Sequence, residues 1–194
     1  MRSKLGTGSM IVGAVLVVAA LALFLANQWE AAQAAASVDA VLPQIVSEIE
    51  QEEPDAGQDP AAPNEMTAVE IDGHSYIGYL SIPGLGLELP VIADWDYDSL
   101  KVAPCRYSGA PKTNDLVIAG HNYIRHFGPI DRLQPGDTVD FTDMDGETYH
   151  YEVKVVDILS ATAVEEMTSG AYDLTLFTCN YDGQARITVR CDRS

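Results

Sequence analysis

The chain has 194 residues, with 29 Asp or Glu against 11 Lys or Arg and a formal net charge of −18. This acidic balance argues against a nucleic-acid-binding protein, because phosphate binding requires clustered Lys and Arg side chains. The three cysteines cannot form a disulfide framework, since an odd number leaves at least one thiol free.

The first element of the chain is an uncharged apolar segment, Met10 to Ala26. As a helix it is roughly 26 Å long, close to the thickness of the hydrocarbon core of a bilayer. Arg2 and Lys4 precede it and no basic residue follows closely. The positive-inside rule therefore predicts a cytoplasmic N-terminus at 1–9, a single transmembrane anchor at 10–29 and an extracellular remainder.

The next segment, 30–66, is predicted to be an extracellular spacer that is acidic and flexible. Its Ala- and Val-rich first part is expected to form a short helix, whereas 48–63 has too little apolar bulk to offset its ordering entropy. The small residues of 31–36 also fit a signal-peptidase site, so a cleaved signal peptide is the alternative to an anchor. The anchor is favoured because the apolar segment exceeds the usual h-region of about 7–15 residues.

From residue 67 onward, short β-branched and aromatic segments alternate with turn residues, which is typical of an all-β domain. Asp145-Gly146 lies between two such segments and indicates a hairpin. A closed or nearly closed barrel is favoured because it leaves no exposed sheet edge. The predicted strands are Tyr76–Ile82, Leu87–Ile92, Asp115–Ala119, Thr138–Thr142, Glu147–Leu159, Leu174–Thr178 and Arg186–Asp192.

Cys179 stands at the end of a predicted strand, where a thiol is fixed by the sheet and yet accessible from outside. A buried structural cysteine is the ordinary alternative for an isolated Cys. A thiol is mostly protonated near pH 7, so a nucleophilic role requires a neighbouring base or cation. The sequence must therefore supply such a partner elsewhere.

Two residues are candidates for that partner. His121 follows a predicted strand through Gly120 and therefore also lies at a strand end. Arg186 opens the last predicted strand, so a hairpin would place its guanidinium beside the thiol, where it can bind a carbonyl or an oxyanion. Arg190 lies on the same strand face and is its rival. The other histidines fit turn, loop and strand positions.

Two motifs resemble the sortase family. Thr175–Cys179 (TLFTC), followed by Arg186–Val189 (RITV), is similar to the TLxTC…R signature of sortases. Ala119–Asn122 (AGHN) resembles the histidine motif of the family. The resemblance extends from Tyr76 to Asp192, and the order of anchor, histidine, cysteine and arginine also matches. The short interval between Cys179 and Arg186 is more similar to class B or class D sortases than to class A.

The resemblance implies a closed eight-stranded β-barrel with short helices at 67–194. This catalytic domain is expected outside the cell and is attached to the cell membrane by a single transmembrane span. It implies a transpeptidase that cleaves an LPxTG-like sorting signal through a thioacyl intermediate and transfers the protein to a cell-wall or pilin amine. The implied partners are surface proteins with C-terminal sorting signals and the amine acceptor. Nucleic acid is not an expected partner. No metal or other cofactor is expected.

Carried onto this chain, the resemblance makes Cys179 the nucleophile, His121 the general acid and base, and Arg186 the group that positions substrate and oxyanion. Asn122 and Thr178 are expected to contact the substrate. Two other functions stay open: a non-catalytic surface or assembly domain, and an L,D-transpeptidase, which is disfavoured because Cys179 follows Thr rather than Gly. Whether Cys105 and Cys191 form a disulfide is not decided by the sequence.

Overall fold

The computed structural model describes residues 2–51 and 65–194. In these ranges one long helix, α1, is followed by nine strands and two short α-helices. The elements are α1 (Arg2–Gln51), β1 (Val69–Ile71), β2 (His74–Ile82), β3 (Leu87–Ile92), α2 (Ser99–Val102), β4 (Cys105–Ser108), β5 (Leu116–Ala119), β6 (Thr138–Asp143), β7 (Thr148–Ser160), α3 (Val164–Met167), β8 (Leu174–Cys179) and β9 (Ala185–Arg193). Single 3-10 turns lie at Pro83–Leu85, Pro111–Thr113 and Ile130–Arg132.

Eight of the strands close into a barrel. Their order is β2-β3-β4-β5-β8-β9-β7-β6, and β6 pairs back onto β2. The pairs β3–β4 and β5–β8 are parallel, and the other neighbouring pairs are antiparallel. The three-residue strand β1 pairs with β2 beyond the part of β2 that β6 covers. The prediction of a closed eight-stranded barrel is therefore confirmed.

The barrel interior is filled by alternate side chains of each strand, as the two-residue period of a strand requires. Strand β8 shows the consequence for the site. Leu174 and Leu176 point into the main core, so Phe177 and Cys179 lie on the outer face. A second apolar cluster of Val117, Ala119, Met167 and Phe177 covers that outer face below Cys179.

Helix α1 corrects the prediction of a flexible spacer at 30–66. Ala34, Val38, Val41 and Ile45 are buried against the barrel, at the spacing of one helix face. Ile45 is 0% exposed and packs in a cluster with β1, β2 and β4. Residues 30–51 are thus part of the folded domain, because their apolar residues form a stripe. The remainder of the acidic segment, 52–64, lies outside the described residues.

The N-terminal part of α1 is uncovered. It is uncharged from residue 10 to residue 26, with a mean hydropathy of 2.7 over its most apolar 18-residue window and no burial against the protein. In the core helix of a soluble domain, such side chains would be buried against neighbouring elements. By length and composition this segment is able to cross a membrane, and a signal sequence would have the same properties.

Candidate active site

The hairpin between β8 and β9 brings Cys179 and Arg186 together. The two residues are direct partners in the antiparallel register and form its last pair before the turn. Side chains of directly opposed residues lie on the same face of a sheet. Asn180 closes the turn, because its side-chain oxygen accepts a hydrogen bond from the Ala185 N–H at 3.0 Å. The thiol and the guanidinium therefore start from neighbouring positions on the outer face.

His121 reaches the same place from the other side of β8. The parallel pair β5–β8 aligns Ala119 with Phe177, and the Gly120 N–H donates to the Phe177 carbonyl at 3.0 Å. His121 and Cys179 each lie two residues beyond this last pair, at the same end of β5 and β8. The three residues thus lie at one end of three adjacent strands, with Cys179 on the central one.

The loop that carries His121 is folded tightly around Phe127, which is fully buried. The Phe127 N–H donates to the His121 carbonyl at 3.0 Å. A Cβ atom at position 120 would lie 2.3 Å from the Phe127 ring, and one at position 128 would lie 2.6 Å from the Tyr123 carbonyl oxygen. Glycine at 120 and at 128 therefore lets the loop pack this closely, which fixes the backbone of His121.

The His121 ring is held by stacking. It lies on the Tyr123 ring with centroids 3.7 Å apart and an interplanar angle of 21°. Its Nδ1 atom is buried and has no hydrogen-bonding partner among the described residues. The Tyr123 hydroxyl in turn donates to the Glu30 carboxylate of α1 at 3.5 Å. Stacking on Tyr123, and not a hydrogen bond to Nδ1, therefore orients the His121 ring among the described residues.

Burial lowers the pKa of His121, and the positive charge of Lys101 on α2 acts in the same direction. The Glu30 carboxylate opposes them and favours the protonated ring. Because burial dominates, the imidazole is neutral at pH 7, which is the form that accepts a proton from a thiol.

His126, five residues away, is a core residue. It is 0% exposed, and burial lowers its pKa to about 4, with a smaller contribution from His121. Neither ring nitrogen has a hydrogen-bonding partner in the described ranges. The backbone of Ala34 lies near enough to favour the charged ring, although outside hydrogen-bond geometry. His126 therefore stays neutral inside the protein and does not titrate near pH 7.

Arg186 is half-buried and partly engaged. Its Nη1 donates to the carbonyls of Gly183 and Ala185 in the hairpin turn, at 3.2 Å each. Nε and Nη2 make no hydrogen bond within the described part of the chain. The turn therefore anchors one edge of the guanidinium and leaves further donors for a ligand.

Arg190, the rival of Arg186, is covered by the segment that includes α3. It is 8% exposed, its guanidinium lies over the Tyr172 ring at 5.2 Å, and its Nη1 donates to the Glu166 carbonyl at 3.4 Å. Its Nε lies 3.6 Å from the Asp157 carboxylate, close enough for an ion pair but too far for a hydrogen bond. These contacts give Arg190 a structural role about 13 Å along the strand from the hairpin turn.

Thr178 corrects a second prediction. It is 1% exposed and lies on the inward face of β8, and its hydroxyl has no hydrogen-bonding partner in the residues described. Its side chain therefore lies inside the end of the barrel and is not available to a peptide on the outer face. Asn122 is half-buried beside His121, and its contact with substrate stays a prediction.

The three cysteines have different environments, and all are reduced. Cys105 and Cys191 are 0% exposed, lie in separate core clusters, and burial raises the pKa of each to about 12. They do not form the disulfide that the sequence left open. Cys179 is exposed, and it is the thiol that a reagent or a substrate can contact. Among the described residues no cluster of His, Cys, Asp or Glu is suited to a metal ion.

An apolar surface leads to the thiol. Phe177, two residues before Cys179, contacts Tyr107 edge-on at 5.3 Å, and Trp95 packs on Tyr107 at 5.3 Å. Trp95 is 38% exposed, so the outer end of this aromatic cluster is open. The strand pattern gave no signal for Trp95 and Tyr107, because they come from a loop and from β4, which was not predicted.

Comparison with known proteins identifies the family of the fold. The sortase domain family matches residues 80–194, more than half of the chain. Sortase A from Bacillus anthracis is 29% identical over 121 residues, which cover 59% of this chain. The match covers 57% of that protein, so the chain spans less than two thirds of the curated relative.

Solved structures share the fold. A sortase D5 transpeptidase from Clostridium perfringens matches with a TM-score of 0.65 and 19% identity, covering 82% of this chain and 99% of that one. Sortase C from Streptococcus pneumoniae matches with a TM-score of 0.62 and 21% identity, covering 79% of this chain and 96% of that one. Sortase C1 from Streptococcus suis matches with a TM-score of 0.57 and 28% identity, covering 62% of this chain and 74% of that one. With the match of the sortase domain to residues 80–194, these results show that the chain belongs to the sortase family.

Proposed function

We propose that this chain is a cysteine transpeptidase that cleaves an LPxTG-like sorting signal and transfers the cleaved protein to a cell-wall or pilin amine. The observation that supports the proposal is the strand register, which pairs the exposed Cys179 with Arg186. The β5–β8 pairing ends at Ala119 and Phe177, so His121 and Cys179 both follow, two residues on, at the same end of adjacent strands. A buried structural cysteine needs neither neighbour. The class B- or class D-like subtype stays a prediction.

In the first half-reaction the neutral imidazole of His121 accepts the proton of the Cys179 thiol. The thiolate attacks the scissile carbonyl, and the free N–H donors of Arg186 stabilise the oxyanion. The imidazolium then returns its proton to the nitrogen of the leaving peptide as the C–N bond breaks. A thioester on Cys179 and a free amine-terminated fragment result.

In the second half-reaction an acceptor amine attacks the thioester carbonyl. His121 accepts a proton from that amine, and the proton returns to the sulfur as the C–S bond breaks. One amide bond is broken and one is formed, so the cycle requires no oxidant, metal or nucleotide. The apolar surface of Phe177 and Tyr107 suits the hydrophobic part of an extended sorting peptide.

We further propose that α1 anchors the protein in the cell membrane through 10–29, with the barrel outside. Arg2 and Lys4 before the apolar segment support this orientation through the positive-inside rule. The expected partners are surface proteins that carry a C-terminal sorting signal, together with a cell-wall precursor or pilin subunit that supplies the amine.

The decisive experiment compares Cys179→Ala with Cys105→Ala in the full-length protein. Each is incubated with an LPxTG-type peptide, with and without an added amine, and analysed by intact-mass spectrometry. Cys179→Ala is expected to lose both cleavage and the acyl-enzyme adduct, whereas Cys105→Ala keeps both. Wild-type cleavage by Cys179→Ala would refute the assignment. An inert wild-type protein with a fully folded barrel would favour the non-catalytic alternative.

A further inference from the structure

The loop that carries His121 contains a second histidine, His126, in the interior of the protein. Its ring is 0% exposed, and neither ring nitrogen has a hydrogen-bonding partner within 2–51 and 65–194. A neutral imidazole has one N–H donor and one acceptor nitrogen, and leaving such groups unpaired inside a protein costs stability. Phenylalanine would fill the same space without that cost. An imidazole at this position is therefore expected to have a hydrogen-bonding role.

The His121 ring has a matching unpaired atom. Its Nδ1 is buried and unpaired among the residues described, whereas Nε2 is at the accessible edge of the half-buried ring, where a thiol can reach it. For a neutral His121 to accept a proton at Nε2, its own proton must be on Nδ1. The tautomer of a histidine is set by the hydrogen bond that its other nitrogen makes. The proposed base therefore requires an acceptor for a buried Nδ1–H.

Tyr123 holds the two histidines near each other. Its ring is stacked on His121 with centroids 3.7 Å apart, and it meets His126 edge-on with centroids 5.6 Å apart. The backbone N–H of His126 also donates to the Tyr123 carbonyl at 3.0 Å. Because both rings contact Tyr123, their own centroids are at most about 9 Å apart. One water molecule with two hydrogen bonds of about 2.9 Å spans about 6 Å between ring nitrogens, which is compatible with this separation.

We propose that His126 is a positioning residue for His121, and that one buried water molecule links a nitrogen of His126 to Nδ1 of His121. The water accepts the Nδ1–H and donates to His126, as buried waters do between polar groups without direct partners. The N–H of His126 faces the Ala34 backbone of α1, whose effect on the ring is that of a carbonyl near an N–H. Nε2 of His121 is thereby left bare for the Cys179 proton. The inference rests on the proposed function, through the role of His121 as the base.

A neutral His126 suits this role. Burial lowers its pKa to about 4, so the ring keeps an acceptor nitrogen at neutral pH. A carboxylate in its place would bring a charge into the interior, which costs more than a neutral ring. The carboxylate of Glu30, which acts on His121 from α1, accepts its hydrogen bond from the Tyr123 hydroxyl and not from the imidazole.

The first test determines the tautomer of His121 by NMR, on the full-length protein in detergent micelles with ¹⁵N in its four histidines. Protonated and bare ring nitrogens resonate in separate ranges, and couplings to the ring hydrogens assign each nitrogen. At about pH 8, where an imidazole is neutral, His121 is expected to be protonated on Nδ1 and bare on Nε2. The opposite tautomer would overturn the inference. This measurement does not depend on turnover, so it separates the inference from the proposed function.

The second test replaces His126 by phenylalanine, which keeps a ring against Tyr123 and removes both nitrogens. His126→Phe is expected to shift His121 toward the Nε2-protonated form and to lower kcat for peptide cleavage about 10–100-fold, the usual effect of losing a group that orients a functional histidine. KM and the free energy of unfolding are expected to change little. His126→Gln keeps a polar acceptor, so it is expected to recover part of kcat.

Thr178→Val is the matched control, because the Thr178 hydroxyl is also buried at this end of the barrel and has no partner in the part of the chain that the structure describes. It is expected to keep the wild-type tautomer and kcat. A wild-type tautomer and kcat in His126→Phe would overturn the inference, as would a change of tautomer in Thr178→Val alone. If His126→Phe does not fold, the tautomer of the wild-type protein and the kcat of His126→Gln decide.

Discussion

Gly120→Ala offers a sharp test of how the fold positions His121. The new Cβ would lie 2.3 Å from the Phe127 ring, and ordinary contacts begin near 3.4 Å, so the loop or the ring must move by about 1.1 Å. Phe127 is fully buried and cannot turn aside. Overpacking of this kind costs about 1–3 kcal/mol of stability.

The effect on catalysis is expected to be larger than the effect on stability. A displacement of about 1 Å at a reacting group can lower the rate about 10²-fold, and residue 120 is bonded directly to His121. The assay compares the kcat/KM for peptide cleavage with the free energy of unfolding from urea denaturation. Gly84→Ala is the matched control, because its Cβ would meet no atom closer than 3.7 Å. Wild-type kcat/KM in Gly120→Ala would refute the claim that this close packing positions the histidine.

Three further predictions follow from contacts of the described residues. Ile45→Ala leaves a cavity under α1 and is expected to lower the free energy of unfolding by about 2–5 kcal/mol; no change would mean that the helix does not pack on the barrel in solution. Arg186→Lys keeps the charge but loses the planar donors, so peptide turnover should fall about 10²–10³-fold, whereas the same change at Arg190 should cost mainly stability. Glu30→Gln removes the carboxylate that raises the pKa of His121, so that pKa falls further. Because the neutral ring is the active base, the acid limb of kcat/KM against pH should move to lower pH, and a shift to higher pH would contradict the assigned role.

Much of the barrel was predictable because its strands obey simple patterns. The predicted Leu87–Ile92 agrees in both bounds with β3, and Tyr76–Ile82 differs from β2 by two residues at its start. Strand β4 was missed because its four residues, CRYS, show no apolar alternation and contain a bulge. Strand β1 has three residues and depends on its pairing with β2. Such strands are specified by their neighbours and not by their own sequence.

The residues of the candidate site also divide into those that the local sequence indicated and those that depend on distant parts of the chain. Cys179, His121 and Arg186 were proposed because each adjoins a strand end, and the structure has these ends on the adjacent strands β5, β8 and β9. Thr178 was misassigned because a motif does not state which face a residue occupies, whereas alternation from Cys179 places it inward. The contact between Tyr123 and Glu30 joins residues 93 positions apart. No local pattern predicts such a pair.

Helix α1 links these observations. The sequence indicated a short helix in the Ala- and Val-rich part of 30–51 but did not predict that it packs on the barrel, whereas its apolar residues recur at one helix face and bury that face. The same stretch supplies Glu30, whose charge acts on His121, and it continues without interruption into the apolar segment. The element proposed to hold the protein in the membrane therefore also supplies one of the charges that act on the proposed base. Because α1 is continuous from Arg2 to Gln51, the barrel is joined to the apolar segment by a packed helix and not by a flexible tether.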